Sequence, residues 1–180
     1  HHDQNNWPVK SWKTPFDPRT DTEDLCENLY KLGSISNNIL EIGFNGGHSN
    51  VIFLLANPKA QIVNFDLCNH DYSKPCFEYL KSKYNVHLIK GDSTVEIPKY
   101  ETDITFDLIH IDGGHGEECA TNDLVNCKRL ATPETLLVFD DANFERIENI
   151  LSNFINKKFI KEIEYSKLDL IQTPPHRVFK

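Results

Sequence analysis

From Asn38 onward, short apolar runs alternate with segments of helical character, and this alternation limits the fold more than any other feature of the chain. The runs are NILEI (Asn38 to Ile42), QIVNFD (Gln61 to Asp66), NVHLIKGD (Asn85 to Asp92), FDLIHID (Phe106 to Asp112) and TLLVFDD (Thr135 to Asp141). Each is of strand length, and the stretches between them suit βα units. Helix signals fall in those stretches: Pro58 closes the first, Ser73 as N-cap and Pro75 in the first turn open YSKPCFEYLKSKY, and Pro98 ends a short turn or helix. GEECATNDLVNCKRL and ANFERIENILSNFINK supply the remaining helices. Near-continuous apolar strands separated by helices predict a parallel sheet covered on both faces, a doubly wound α/β sandwich. The tail FIKEIEYSKLDLIQTPPHRVFK reads as two further strands, an antiparallel pair, making seven in all.

A length of 180 residues fits one domain with a real core. The first 37 residues differ in character: Trp7, Pro8, Trp12, Pro15 and Pro18 precede a helix, TEDLCENLYKL, that Thr20 or Asp21 would cap. This part reads as a lid or docking segment on a 38–180 domain, and Trp7, Trp12 and Phe16 are aromatic enough to stack on a flat or sugar-like face. A net charge of −8 without a Lys/Arg cluster argues against nucleic acid or an anionic membrane as the partner. The longest apolar run, Val51 to Ala56, falls far short of the roughly 20 residues a membrane span needs. With no leader pattern, a cytoplasmic protein is expected. The cysteines (Cys26, Cys68, Cys76, Cys119, Cys127) form no C-x-x-C pair, so they are expected to be reduced and mostly in the core. His1-His2 has the look of a purification-tag remnant and takes no part in the metal-site reasoning.

In EIGFNGGHS, Gly43, Gly46 and Gly47 lie between the first strand and its helix, where missing side chains let a ligand approach the backbone. The spacing is G-x-x-G-G. The dinucleotide fingerprint G-x-G-x-x-G does not match it, and no Lys-Ser/Thr follows as a P-loop requires. The stretch resembles motif I of class I S-adenosylmethionine-dependent methyltransferases, whose Rossmann-like element order is similar to this chain from Asn38 to near Lys180. The resemblance implies S-adenosylmethionine as cofactor. Glu41, Gly43, Asn45 and Gly46 would surround its methionine moiety, with amides near Gly47 and His48 receiving the carboxylate. Asp66 would take the ribose hydroxyls, and Asp92 with Ser93 in KGDS would sit beside adenine. Read without the resemblance, Asp66 is a turn cap and GDS only a turn.

Asp112 ends the fourth strand, and Asp140 and Asp141 end the fifth, the next strand across the same crevice in this fold. Three converging carboxylates repel one another and ask for a cation; oxygen-only ligands suit magnesium or manganese. IDGGH and FDD resemble the metal-dependent small-molecule and sugar O-methyltransferases, in which aspartates at these positions hold magnesium; Asn143 is an alternative to Asp141. The other reading is that Asp112 and Asp140 cap the structures that follow them. His115, three residues after Asp112, stands where catechol-type relatives carry a lysine base and is the expected general base, whereas His110 reads as a buried core residue. ATPETLL replaces the family's Pro-Gly-Gly before the fifth strand. The resulting expectation is an O-methyltransferase acting on a small molecule or glycan, a vicinal diol favoured, with neighbouring domains or a second copy as possible partners. The rivals are a metal-independent methyltransferase, a non-catalytic binding module of the same fold, and a nucleotide-dependent oxidoreductase.

Overall fold

The computed structural model describes residues 21–172 and 176–180. The chain order is α1 (Asp21–Ser34), β1 (Asn38–Ile42), α2 (His48–Ala56), β2 (Gln61–Asp66), α3 (Ser73–Lys81), β3 (Val86–Lys90) and α4 (Ser93–Lys99). It continues with β4 (Leu108–Ile111), α5 (Glu117–Cys127), β5 (Leu136–Phe139), α6 (Glu145–Asn156) and β6 (Arg177–Phe179). The sheet runs β3-β2-β1-β4-β5-β6, with β1 to β5 mutually parallel and β6 antiparallel to β5. The order reverses between β1 and β4, which places the ligand crevice beyond the carboxyl ends of those two strands.

Alternation along the strands divides the core. Leu40, Ile42, Ile109 and Ile111 face α4, α5 and α6 with Ile97, Leu124 and Leu151. Ile39, Leu108 and Val138 face α1, α2 and α3 with Leu32, Phe53 and Phe77. A period of two then puts Glu41 of β1, Asn64 of β2 and His110 of β4 on the α2 side, and the registers set Glu41 beside both Asn64 and His110.

Among the described residues six strands form where seven were expected. The missing one is the first of the tail pair: it makes a single antiparallel bridge, Glu162 to Phe179, flanked by hydrogen bonds from the Lys161 amide to Lys180 O (2.7 Å) and the Ile163 amide to Val178 O (2.9 Å). A 3₁₀ turn at Tyr165–Leu168 ends the pairing. Lys161, Glu162 and Glu164 are exposed, as charged residues on a sheet edge commonly are, and Glu162 accepts from Arg177 Nε (2.8 Å) and Nη2 (2.6 Å) of β6. Ser73 is the first residue of α3, not its cap. Trp7, Trp12, Phe16 and Thr20 lie outside the described residues, and of the expected lid or docking segment only its helix, α1, and the link to β1 are described. All the cysteines are free thiols, but only Cys127 is buried and Cys26 is exposed, so most sit outside the core. Among the described residues no helix is long and apolar enough to cross a membrane.

Candidate active site

Gly43 follows β1 with φ of +99°, and a Cβ there would lie 2.0 Å from the Asp112 carbonyl oxygen. The loops after β1 and β4 are therefore in backbone contact, which only glycine permits. Beyond this contact lies a cleft of about 170 Å³, walled on one side by Leu25, Cys26 and Leu29 of α1 and on the others by Gly43 to Asn45, His48, Ser49, Ile52, His110, Asp112, Asp140 and His176.

The glycine loop is pinned from below. Asp66 accepts from the amides of Asn45 (2.8 Å) and Cys68 (2.5 Å), and the Tyr72 hydroxyl donates to Asn45 Oδ1 (2.6 Å). Asn45 itself is left-handed at φ 49°. Gly47, at φ +77°, spends its amide on Phe44 O at 2.7 Å, closing the turn that starts α2. The first-turn amides of α2, from His48 onward, have no partner within the helix and so form the anion-receiving end.

Glu41 does not line the cleft. Fully buried, it turns toward α2, where Ser49 Oγ and Asn50 Nδ2 donate to it and His110 Nδ1 lies 2.8 Å from Oε1. The reason is strand alternation: residue 41 shares a face with Ile39, not with the loop. Asn50 and Asn64 extend the network through reciprocal hydrogen bonds of 2.9 and 3.1 Å. Burial alone would lower the His110 pKa, but the Glu41 carboxylate, helped by Asp112 and Asp140, pushes it up to about 9.

Of the adenine-side pair, Asp92 is exposed and caps α4, accepting from the Thr94 amide (2.9 Å) and hydroxyl (2.7 Å). Ser93 is buried and donates to Asp123 Oδ1 at 2.7 Å. Sequence reasoning missed Asp123, a fully buried acid of α5 whose pKa burial raises to about 6 against the pull of Ser93 and Cys119. Its signal was present: Cys119, Asp123 and Cys127 recur at four-residue steps and so share one helix face.

The three aspartates expected to share one ion fall into two groups. Asp140 joins His110 and His176; Asp112 and Asp141 join His115. Each group contains imidazole, so among the described residues the oxygen-only set that magnesium prefers is not assembled. His176, also missed, sits with Nε2 3.0 Å from Asp140 Oδ1. It precedes β6, which is antiparallel to β5 and therefore begins at the carboxyl end of β5, beside the crevice. Burial pushes the Asp140 pKa up, but His176 and His110 beside it more than offset this and hold it below the usual carboxylate value. Asp112 goes the other way: burial, reinforced by Asp140, Glu41 and Asp141 and opposed by His110, raises it to about 8. His115 is partly exposed, with Nε2 2.7 Å from Asp141 Oδ2 in a charge contact that lacks hydrogen-bond alignment. That carboxylate raises the imidazole pKa despite partial burial.

The comparisons with known proteins agree with this architecture. A family model described as a methyltransferase domain matches residues 40–142, which is over half of the chain. The chain belongs to that family, and its fold is the class I S-adenosylmethionine-dependent type. Solved structures of similar fold include CalS11, a TDP-rhamnose 3'-O-methyltransferase of calicheamicin biosynthesis (16% identity, 88% of this chain and 78% of that one, TM-score 0.66). Others are the S-adenosylhomocysteine-bound methyltransferase PaMTH1 of Podospora anserina (14%, 91% and 79%, 0.69) and a caffeoyl-CoA O-methyltransferase-like protein of Staphylococcus aureus (15%, 91% and 83%, 0.68). No curated protein sequence matches the chain.

Proposed function

We propose that this protein moves a methyl group from S-adenosylmethionine to a hydroxyl oxygen of a small molecule or sugar, a vicinal diol favoured, with a divalent cation assisting. The observation that carries the reading is the meeting of two kinds of group in one cleft: a glycine loop leading to free helix amides, and acid and imidazole side chains at the ends of β4 and β5. The first suits an amino-acid carboxylate, the second an alcohol that must lose its proton. The names of the fold neighbours, O-methyltransferases among them and one a sugar enzyme, support the same class.

In this reading Gly43 and Asn45 bring backbone against the methionine moiety, and Asp66, by holding Asn45, sets the loop that the nucleoside rests on. Asp92 and Ser93 shape the adenine end through α4, with the second Asp92 oxygen outside the cap. Methyl transfer is an in-line displacement whose difficulty lies in the acceptor, since an un-ionised hydroxyl is a weak nucleophile. His115 is the base: its partial exposure lets it reach an acceptor, and Asp141 steadies the imidazolium that results. Asp112, adjoining Gly43, holds the acceptor where the two loops touch. A cation at this end of the sheet supplies a lower pKa for a bound hydroxyl and orientation of a diol.

Calorimetry with S-adenosylmethionine, followed by a methylation screen over diols and glycans with and without chelator, tests the proposal. Cofactor binding with chelator-sensitive methylation is the expected result. Failure to bind the cofactor refutes it, and chelator-insensitive turnover removes the cation from it.

A further inference from the structure

We infer that His110, Asp140 and His176 form a mixed nitrogen and oxygen cation site at the floor of the cleft, suited to a late divalent transition ion such as zinc in preference to magnesium. Its existence stands on geometry alone; its part in catalysis rests on the methyltransferase reading above. One donor atom from each residue lies within 4.8 Å of the others. The separation of 3.0 Å between His176 Nε2 and Asp140 Oδ1 is that of adjacent ligands, because two donors about 2.1 Å from one ion sit about 3.0 to 3.4 Å apart.

Two further observations point to a ligand here. His110 is 1% exposed, yet its Nε2 has no hydrogen-bond partner, and His176, 2% exposed, turns its Nε2 to Asp140. Buried polar atoms are normally satisfied, so an unpartnered ring nitrogen of a histidine that lines the cleft asks for a cation. The other face of His110 is also prepared: Glu41 binds its Nδ1 at 2.8 Å and is itself fixed by Ser49 and Asn50. A carboxylate behind a ligating histidine fixes the tautomer that leaves Nε2 free to coordinate. The second group, Asp112, His115 and Asp141, is half-exposed and shows no such backing. Imidazole donors favour the later divalent transition ions, whereas magnesium keeps to oxygen and holds its waters.

The test uses the full chain carrying His1→Ala and His2→Ala, so that the terminal imidazoles add no donors. Metal-stripped protein is titrated with zinc chloride in the absence of cofactor. The expected result is one zinc per chain, undisplaced by hundredfold magnesium, with affinity falling at least tenfold in His176→Ala and Asp140→Asn and unchanged in Asp141→Asn. Glu41→Gln, a positioning change, weakens binding roughly 10- to 100-fold. Manganese bound to the unsubstituted site gives a readout independent of whether variants fold: electron spin-echo modulation from coordinated imidazole nitrogen is expected. Absence of stoichiometric binding, an oxygen-only manganese spectrum, or retention in His176→Ala with loss in Asp141→Asn overturns the site. Cofactor binding measured on the same samples separates the two ideas: zinc bound without cofactor affinity sinks the methyltransferase reading alone, and the converse sinks this one alone.

Discussion

Gly43→Ala is the sharpest test of how the cleft is built. The new Cβ would lie 2.0 Å from the Asp112 carbonyl oxygen and 2.7 Å from its carbonyl carbon, at a φ of +99°. Ordinary carbon-to-oxygen contact is more than an ångström longer, and the obstacle is backbone, so no rotamer change relieves it. The left-handed φ costs of order 1–3 kcal/mol. Forcing the two strand ends apart adds about 1–3 kcal/mol, as overpacking does in other tight sites. Together these remove about 2–6 kcal/mol from a domain whose whole stability is typically about 5–15 kcal/mol. At about 2–4 °C per kcal/mol for a chain of this size, the midpoint of thermal unfolding falls by several degrees at least. Because the displaced backbone is the cofactor loop itself, S-adenosylmethionine affinity drops at least tenfold. Gly46→Ala is the stability control: its Cβ would meet the movable ring of His48 at 3.2 Å, without positive φ, so its melting midpoint stays near that of the parent. Scanning calorimetry and cofactor titration on the pair decide the matter. A Gly43→Ala protein that melts within about a degree of the parent, with unaltered affinity, would refute the claimed contact between the β1 and β4 loops.

Other outcomes follow from the same geometry. Stability of the metal-free protein declines from about pH 4 to 9: Asp112, raised to about 8, keeps in the folded state a proton that the unfolded chain releases near pH 4, and His110, raised to about 9, loses its stabilising proton between about pH 6.5 and 9. Denaturant midpoints across this range check it, and Asp112→Asn flattens the slope. If His115 is the base, His115→Gln lowers kcat by roughly 10²- to 10⁴-fold while cofactor affinity holds. In the parent the rate rises with pH through a value above the ordinary imidazole pKa, since Asp141 raises it and only the neutral ring accepts a proton. Asp66→Ala frees the amides of Asn45 and Cys68 and weakens S-adenosylmethionine binding without touching zinc binding, which paired titrations detect. Phe53→Ala empties a fully buried site beneath His110 and costs about 3–5 kcal/mol in urea unfolding.

The sequence by itself determined the parallel α/β sheet and the crevice at its carboxyl end. Strand alternation, helix caps and glycine turns are short-range features written in neighbouring residues, and NILEIGFNGGHS carries a strand, a turn and a helix start within a dozen positions. Tertiary structure decided how side chains pair across that crevice. Glu41 reads like a cofactor ligand in its own motif, yet strand parity turns it toward α2 and His110. Ser93 looks outward in KGDS but is claimed by Asp123 of a distant helix. His176 has no local signal of chemistry; only the antiparallel return of β6 brings it 3.0 Å from Asp140 and splits the aspartates that sequence proximity had joined. Local pattern fixes which elements form because their free energies depend on near neighbours, whereas a site joining β1, β4, β5 and β6 depends on register and packing between segments far apart in the chain.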